Sequence, residues 1–477
     1  MENSSLKGKT VSGLFWKFAE SVGNQLISLL ISVVLARILM PDDYGIIAIV
    51  MVFISFFQVL VTNGLGSPLI QKKDADDLDF STVFYTSIIF GLFVYFLIFI
   101  CAPSIASFYD TEVLTPVLRV MGLSVIITSF NAIQHAYVSR NMLFKKFFFS
   151  TLTGRIVSGG VGITLAYCGC GVWALVIQSL MSNVTDMIVL FLTVKWRPQF
   201  MFSFERLKSL WGFGWKIILA ATINEVYQDL RTLLIGKVYS KSDLSYFNQG
   251  KNIPELLVNN INKSITTVIF PAIANVQDEQ NTVKNFVRRG SKVSSYILFP
   301  LLIGLALVAE PLVKLLLTDK WLPCVPYMQI MCLTQCLTPI SSISQQAIKA
   351  VGRSDITLIQ EVIKKTVGIA IVIISLRISI MAVVIGTAIV DIWCFVVNTF
   401  PAKKVLNYGY WEQLIDLLPN IICTAVMAAV VFFVGKIPAP VLLILILQIV
   451  SGALTYLTIS KIVKNENLQY VINTLKK

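Results

Sequence analysis

Apolar stretches of about 20 residues follow one another along nearly the whole chain, separated by short gaps that carry most of its basic residues. No other feature constrains the fold as strongly. A run of that length crosses a hydrocarbon core of roughly 30 Å as a helix, the one open-ended structure that satisfies its own backbone in lipid. A β-barrel is disfavoured, because the runs are continuous and do not alternate with period two. Composition agrees: 14% of residues are charged and 56% are hydrophobic, against about 25% charged in ordinary globular domains. The first run holds Lys17 and Glu20 and is followed by no small-residue cleavage site, so it reads as a span and not as a removable leader.

About fourteen spans emerge. Six lie near 14–37, 44–65, 81–108, 114–138, 148–168 and 171–194. Six more lie near 210–237, 243–272, 293–317, 325–349, 355–376 and 379–402, and a final pair near 414–434 and 438–460. The expected architecture is all-α and polytopic: an N-terminal six-helix lobe (1–200), a C-terminal six-helix lobe (201–405), and a last segment (406–477) of two additional helices and a tail.

The net charge of +13 sits mostly in alternate gaps. Lys7 and Lys9 precede the first span. Lys72 and Lys73, Arg140 with Lys145 and Lys146, Lys195 with Arg197, the 284–292 group, Lys349 with Arg353, and Lys403 with Lys404 follow every second one, and Lys461, Lys464, Lys476 and Lys477 close the chain. The intervening gaps are very short and carry at most one or two basic residues each. By the positive-inside rule both termini are cytoplasmic, in a cell (inner) membrane, which needs an even number of spans. Nucleic-acid binding is excluded as a reading of this charge, since no gap is long enough for a soluble basic domain. The eight cysteines are scattered through apolar segments with no zinc or redox spacing, and no metal site is expected.

An internal repeat underlies the lobes. Phe15-Trp16-Lys17 opens the first span and Gly214-Trp215-Lys216 lies early in the seventh. Arg37 and then Asp42-Asp43-Tyr44-Gly45 follow the first; Lys237 and then Ser242-Asp243-Leu244-Ser245 follow the second. Both halves enter the membrane from the same side, so the repeat is parallel, and a substrate site is expected between its halves.

Several spans carry polar or charged stripes. Lys17, Ser21, Asn24 and Ser28 share a face of the first. Such a stripe is either helix-to-helix hydrogen bonding or one wall of a polar cavity. Span seven holds Lys216, Glu225, Asp229 and Arg231, and span eight holds Lys251, Glu255 and Lys263. Each central charge costs roughly 2.5–3.5 kcal/mol on insertion scales. The deep cations suit an anionic, phosphate-bearing substrate, and the candidate binding set is Arg37, Arg155, Lys216, Arg231, Lys251 and Lys263. Glu225, Asp229, Asp186 and Asp391 are candidates for coupling to an H+ or Na+ gradient, or else structural partners of nearby cations. His135, the single histidine, reads as an ordinary polar side chain near a helix end. Glu361, Lys364 and Lys365 in span eleven read as snorkelling to the interface. No Walker loop, metal cluster or Ser–His–Asp arrangement is present, no organic cofactor is called for, and an enzyme is not expected.

These residues occur in an order that carries a family resemblance. Gly13-Leu14-Phe15-Trp16, Leu35-Ala36-Arg37-Ile38-Leu39, Pro41-Asp42-Asp43-Tyr44-Gly45, Gly171-Val172-Trp173, Lys195-Trp196-Arg197-Pro198, Ala309-Glu310-Pro311-Leu312 and Gly352-Arg353-Ser354-Asp355 follow one another over most of the chain. The sequence resembles the Wzx-type polysaccharide exporters, in the superfamily that also holds the drug and toxin extruders and the lipid II flippase. It is most similar to the branch with the colanic acid and teichuronic acid exporters. The resemblance implies alternating access by two lobes and an undecaprenyl-pyrophosphate-linked oligosaccharide as substrate. It also implies membrane lipids, a polysaccharide polymerase and glycosyltransferases as partners. The final two helices exceed the twelve-helix core; in some relatives such helices form a groove for a lipid tail. A cation-coupled drug extruder and a non-transporting scaffold of a polysaccharide assembly complex stand as the alternatives.

Overall fold

In the computed structural model, which describes residues 2–71, 75–277 and 279–469, every apolar segment is helical and no strand occurs among the described residues. The chain divides into two compact units, residues 1–245 and 246–477. The first contains α1 (Glu2–Ile38), α2 (Pro41–Gln71), α3 (Asp77–Phe108), α4 (Leu114–Arg140), α5 (Phe144–Tyr167), α6 (Val172–Thr193) and α7 (Phe204–Val238). α8 (Lys241–Ala274) begins in the first unit and runs on into the second, unbroken through Pro254. The second unit continues with α9 (Gln280–Leu307), α10 (Ala309–Leu316), α11 (Val325–Gln335), α12 (Thr338–Ala350), α13 (Ser354–Leu376), α14 (Ile380–Thr399), α15 (Ala402–Leu406), α16 (Tyr410–Val434) and α17 (Val441–Ile462).

Among the described residues nine helices are long and apolar enough to cross a membrane. They include α3, which leaves Ile89, Leu92, Phe93, Phe96 and Ile100 exposed along its length. A patch of that size on a water-facing surface is untenable, and lipid is the solvent that tolerates it. The protein is a multi-pass helical membrane protein. α5, α7, α8 and α13 are among the helices outside the nine, and each carries charged residues within its length.

Two of the expected spans are broken, each by proline chemistry. The ninth splits at Val308, after which Pro311 lies in the first turn of α10. The tenth splits at Cys336–Leu337, with Pro339 near the start of α12. Proline has no N–H for the preceding turn and its ring crowds the carbonyl four residues back, whereas at a helix start neither defect matters.

The core of the first unit gathers Leu69, Phe80, Phe84, Ile133, Phe147, Leu190 and Trp196 from five helices and the segment after α6. Asp76 caps α3 in a reciprocal box with Asp79, and Arg206 at the start of α7 reaches both carboxylates at 3.6 and 3.7 Å. In the second unit α16 and α17 close on α9 through Tyr296, Cys423, Met427, Val431 and Tyr456. Polar bonds fix that contact. Fully buried Asn420 of α16 donates to the Lys292 carbonyl (2.9 Å) and Ser295 Oγ (2.8 Å) of α9, and accepts from Asn465 Nδ2 (2.8 Å) beyond α17.

Candidate functional site

The α1–α2 and α7–α8 turns, which the sequence repeat pairs, meet in the structure. Both helix starts are self-capped. The Asp43 carboxylate accepts from Met40 N–H at 3.1 Å, and Ser240 Oγ accepts from Asp243 N–H at 3.0 Å. Ser242 Oγ donates to Asp42 Oδ1 across the turns at 2.6 Å. Gly45 lies so close to Lys241 that a Cβ there would sit 2.0 Å from the Lys241 carbonyl oxygen. The loop after α3 seals the same place: Lys241 Nζ donates to the Tyr109 carbonyl (3.3 Å) and Lys237 Nζ to Asp110 Oδ2 (2.9 Å). The ammonium holds the Asp110 carboxyl below the usual carboxylate range.

A polar cavity of about 430 Å³ opens elsewhere in the first unit, lined by Gln58 and Thr62 of α2, Asn131 and His135 of α4, and Asn183 and Asp186 of α6. Its floor is a hydrogen-bonded cluster around Asp186. Oδ2 faces His135 Nε2 at 2.9 Å and accepts from Asn131 Nδ2, and Oδ1 accepts from Ser150 Oγ of α5 at 2.6 Å. The Phe147 ring stacks on the imidazole at 4.8 Å. Donors from two neighbouring helices thus converge on the carboxylate, in a place where an isolated charge is costly.

The sequence candidates are dispersed. Arg155 is exposed on α5, Arg37 is exposed at the end of α1, and Arg231 is half-buried on α7. Lys251 pairs with Glu255 at 3.8 Å and Lys263 is exposed, both on the part of α8 in the second unit. The Lys216 side chain lies outside the described residues, as do Lys72, Lys73, Lys476 and Lys477. Of the acids, Asp229 accepts from Ser55 of α2 at 3.0 Å, Asp391 from Thr334 of α11 at 3.1 Å, and Glu225 is half-buried on α7. The α1 stripe bonds to α5 through Asn24 Nδ2 and Thr151 Oγ1 (3.1 Å), and Lys17 pairs with buried Glu20 at 2.7 Å. Lys364, read as snorkelling, is instead buried, 2.6 Å from Glu361, which accepts from Gln345 at 2.9 Å.

His135 carried little weight in the sequence reading, although Asn131 and His135 are four residues apart and share one helix face. A second feature had no signal of its own. In the second unit α8, α9, α10, α16 and α17 enclose an apolar groove of about 520 Å³, lined by Leu257, Leu301, Leu312, Met427, Ile449 and Leu457 among others.

Residues 34–326 match the family of polysaccharide biosynthesis proteins. The chain belongs to that family. Its curated relatives include teichuronic acid biosynthesis protein TuaB of Bacillus subtilis strain 168, 24% identical over 84% of this chain and 85% of the relative. Lipopolysaccharide biosynthesis protein WzxC of Escherichia coli K12 is 25% identical over 87% of this chain and 85% of its own. Among solved structures, the lipid II flippase MurJ in an inward closed conformation superposes with a TM-score of 0.75 at 18% identity, covering 94% of this polysaccharide biosynthesis protein and 98% of MurJ. The resemblance to Wzx-type exporters is borne out, and the fold is that of the flippase.

Proposed function

We propose that this protein flips a lipid-linked oligosaccharide, an undecaprenyl-pyrophosphate-linked repeat unit of a surface polysaccharide, across the cytoplasmic membrane by alternating access. The observation that carries the reading is the flippase fold extending over 94% of the chain, in a sequence whose relatives are named for polysaccharide biosynthesis. Two lobes of six helices (1–200 and 201–405) and the final pair (406–477) are the working parts, with both termini cytoplasmic. The groove bounded by α16 and α17 suits a long hydrocarbon chain, since it offers almost only apolar side chains. Arg37, Arg155, Lys216, Arg231, Lys251 and Lys263 hold the pyrophosphate or line its route. The sealed pair of turns is the contact that a change of access has to break. A polymerase and glycosyltransferases are the partners on either side of the step.

Two measurements test this. A deletion strain is expected to accumulate the lipid-linked oligosaccharide on the cytoplasmic side, and its distribution between leaflets checks that. Lys216→Ala combined with Arg231→Ala is expected to abolish surface polysaccharide at normal protein level. Full polymer from the double variant would remove these two cations from the substrate path.

A further inference from the structure

On the reading of this protein as a flippase, we propose that Asp186 and His135 form a proton-binding pair whose occupancy drives the transport cycle, so that the coupling ion is H+ and not Na+. The argument begins with what surrounds the carboxylate. α6 has no other charged residue. On α4, Arg140 turns away to the Leu69 carbonyl (2.8 Å), and Arg119 lies over the Phe99 ring. On α5, Lys146 donates to the Thr193 carbonyl, Lys145 lies over the Trp16 ring, and Arg155 is exposed. α2 carries its acids, Asp42 and Asp43, at its far start and lends the cavity neutral Gln58 and Thr62. Lys17 of α1 is paired with Glu20 and stands 5.4 Å from the centre of the Phe147 ring, the ring on which His135 stacks. Among the described residues His135 is therefore the titratable group that faces Asp186 across a hydrogen bond, and both line the cavity.

The donor inventory then selects the ion. A bare sodium ion wants several oxygen ligands. Asp186 Oδ2 already faces two nitrogens, His135 Nε2 and Asn131 Nδ2, and Oδ1 receives the Ser150 hydroxyl. A metal cation placed there would meet the Asn131 amide hydrogens and an imidazole nitrogen where it wants oxygens, and the second carboxylate oxygen is already taken by Ser150. A proton fits better. With its hydrogen on Nδ1, neutral imidazole accepts at Nε2 from Asn131 Nδ2 at 3.0 Å and the pair has charge −1; a proton added at Nε2 bridges the 2.9 Å to Asp186 Oδ2 and makes imidazolium and carboxylate, with charge 0. Asn131 Oδ1 is buried, beside the cavity, and has no hydrogen-bond partner among the described residues. The cluster thus keeps one acceptor free for an additional hydrogen, and Asn131 can turn its amide to use it. The polar cavity supplies the water through which the proton arrives.

The single histidine makes a direct test practicable. The full chain is labelled with 15N-histidine, placed in nanodiscs, and its imidazole resonances are followed between about pH 5 and 8. Wild type is expected to titrate, and Asp186→Asn to move the midpoint by the equivalent of about tenfold in proton concentration, since an opposite charge at hydrogen-bond distance has been removed. In proteoliposomes, an imposed pH gradient is expected to accelerate flipping of a fluorescent undecaprenyl-pyrophosphoryl sugar by wild type but not by Asp186→Asn. His135→Gln keeps a hydrogen-bonding amide, loses the titration, and serves if Asp186→Asn fails to fold. An unchanged midpoint, or flipping driven by a sodium gradient and indifferent to the pH gradient, overturns the proposal. Absence of flipping by wild type with the titration intact counts against the flippase reading instead.

Discussion

Adding one methyl group at Gly45 is expected to force apart the two repeat turns. A Cβ there would lie 2.0, 2.5 and 2.8 Å from the carbonyl oxygen, carbonyl carbon and Cα of Lys241. An ordinary carbon–oxygen contact is roughly 3.3 Å, so the backbones must separate by about 1.3 Å in Gly45→Ala. The atoms met are main chain, which cannot rotate aside, and the cost falls near the top of the usual overpacking range, about 3 kcal/mol. At about 1.4 kcal/mol per tenfold, the sealed contact becomes roughly a hundredfold less populated relative to any state in which the turns are apart. Weakening of α2 is not a rival explanation, because alanine in a helix is favoured over glycine by about 1 kcal/mol. The assay uses Ser242 and Asp42, which are hydrogen-bonded across the turns at 2.6 Å. Asp42→Cys and Ser242→Cys, combined in a chain cleared of its eight native cysteines, are crosslinked by a short bis-methanethiosulfonate, which each thiolate attacks with loss of sulfinate. The rate should fall by at least tenfold when Gly45→Ala is added, with transport falling alongside. Equal rates with and without the methyl would show that the close approach of Gly45 to Lys241 does not govern this contact.

Replacing Asn420 by leucine is expected to loosen the end of the chain. It strands the Asn465 amide and removes two bonds to α9, a loss of about 1–3 kcal/mol for each buried group left unpaired. Limited trypsin digestion should cut faster after Lys461 and Lys464 while the rest of the chain resists, and an unchanged digestion pattern refutes the role given to Asn420. The Lys237–Asp110 contact should respond to acid. The Asp110 carboxyl is held below its usual range in the folded chain by the Lys237 ammonium, so its contribution is fully present above the ordinary carboxylate range and is lost as pH falls through the depressed value. Both side chains are exposed, and the effect is small and weakened by salt. It is read with the same introduced cysteine pair as the ratio of the crosslinking rate to that of Asp110→Asn at each pH, which cancels the loss of thiolate in acid; the ratio should exceed one at neutral pH and fall toward one as pH drops.

What the sequence made legible follows the distance over which each signal acts. The apolar runs specify helices one at a time, and all of them are present. The breaks at Val308 and Leu337 were also written locally, in Pro311 and Pro339, but a continuous hydropathy run conceals them because a proline that begins a new helix costs that run nothing. Charge pairs within one helix lay within reach of the sequence, although the reading took Lys364 as snorkelling. Lys17 with Glu20, Lys251 with Glu255 and Lys364 with Glu361 are all three or four residues apart. The Asp186 cluster was not. Its partners lie 36, 51 and 55 residues away on other helices, and hydropathy registers only that each helix tolerates a polar group.

The same division reorders the deep cations. A lysine with a carboxylate one turn away on its own helix brings little net field to a substrate, because the pair is neutral from a distance and its desolvation is partly met within the helix. Lys17, Lys251 and Lys364 are of this kind. α5 has no acidic residue along its whole length, so Arg155 is not offset from within its own helix. Arg231 lies only two residues from Asp229, a spacing that points the two side chains to different faces, and Asp229 already accepts from Ser55. Counting lysines and arginines inside apolar runs therefore overstates the charge available to a phosphate in α8 and understates the contrast with α5 and α7. The guanidinium groups are also the ones whose planar donors match a phosphate in bidentate fashion. On electrostatic grounds Arg155 and Arg231 lead the candidate set, ahead of Lys251, although span eight shows the denser charge in the sequence.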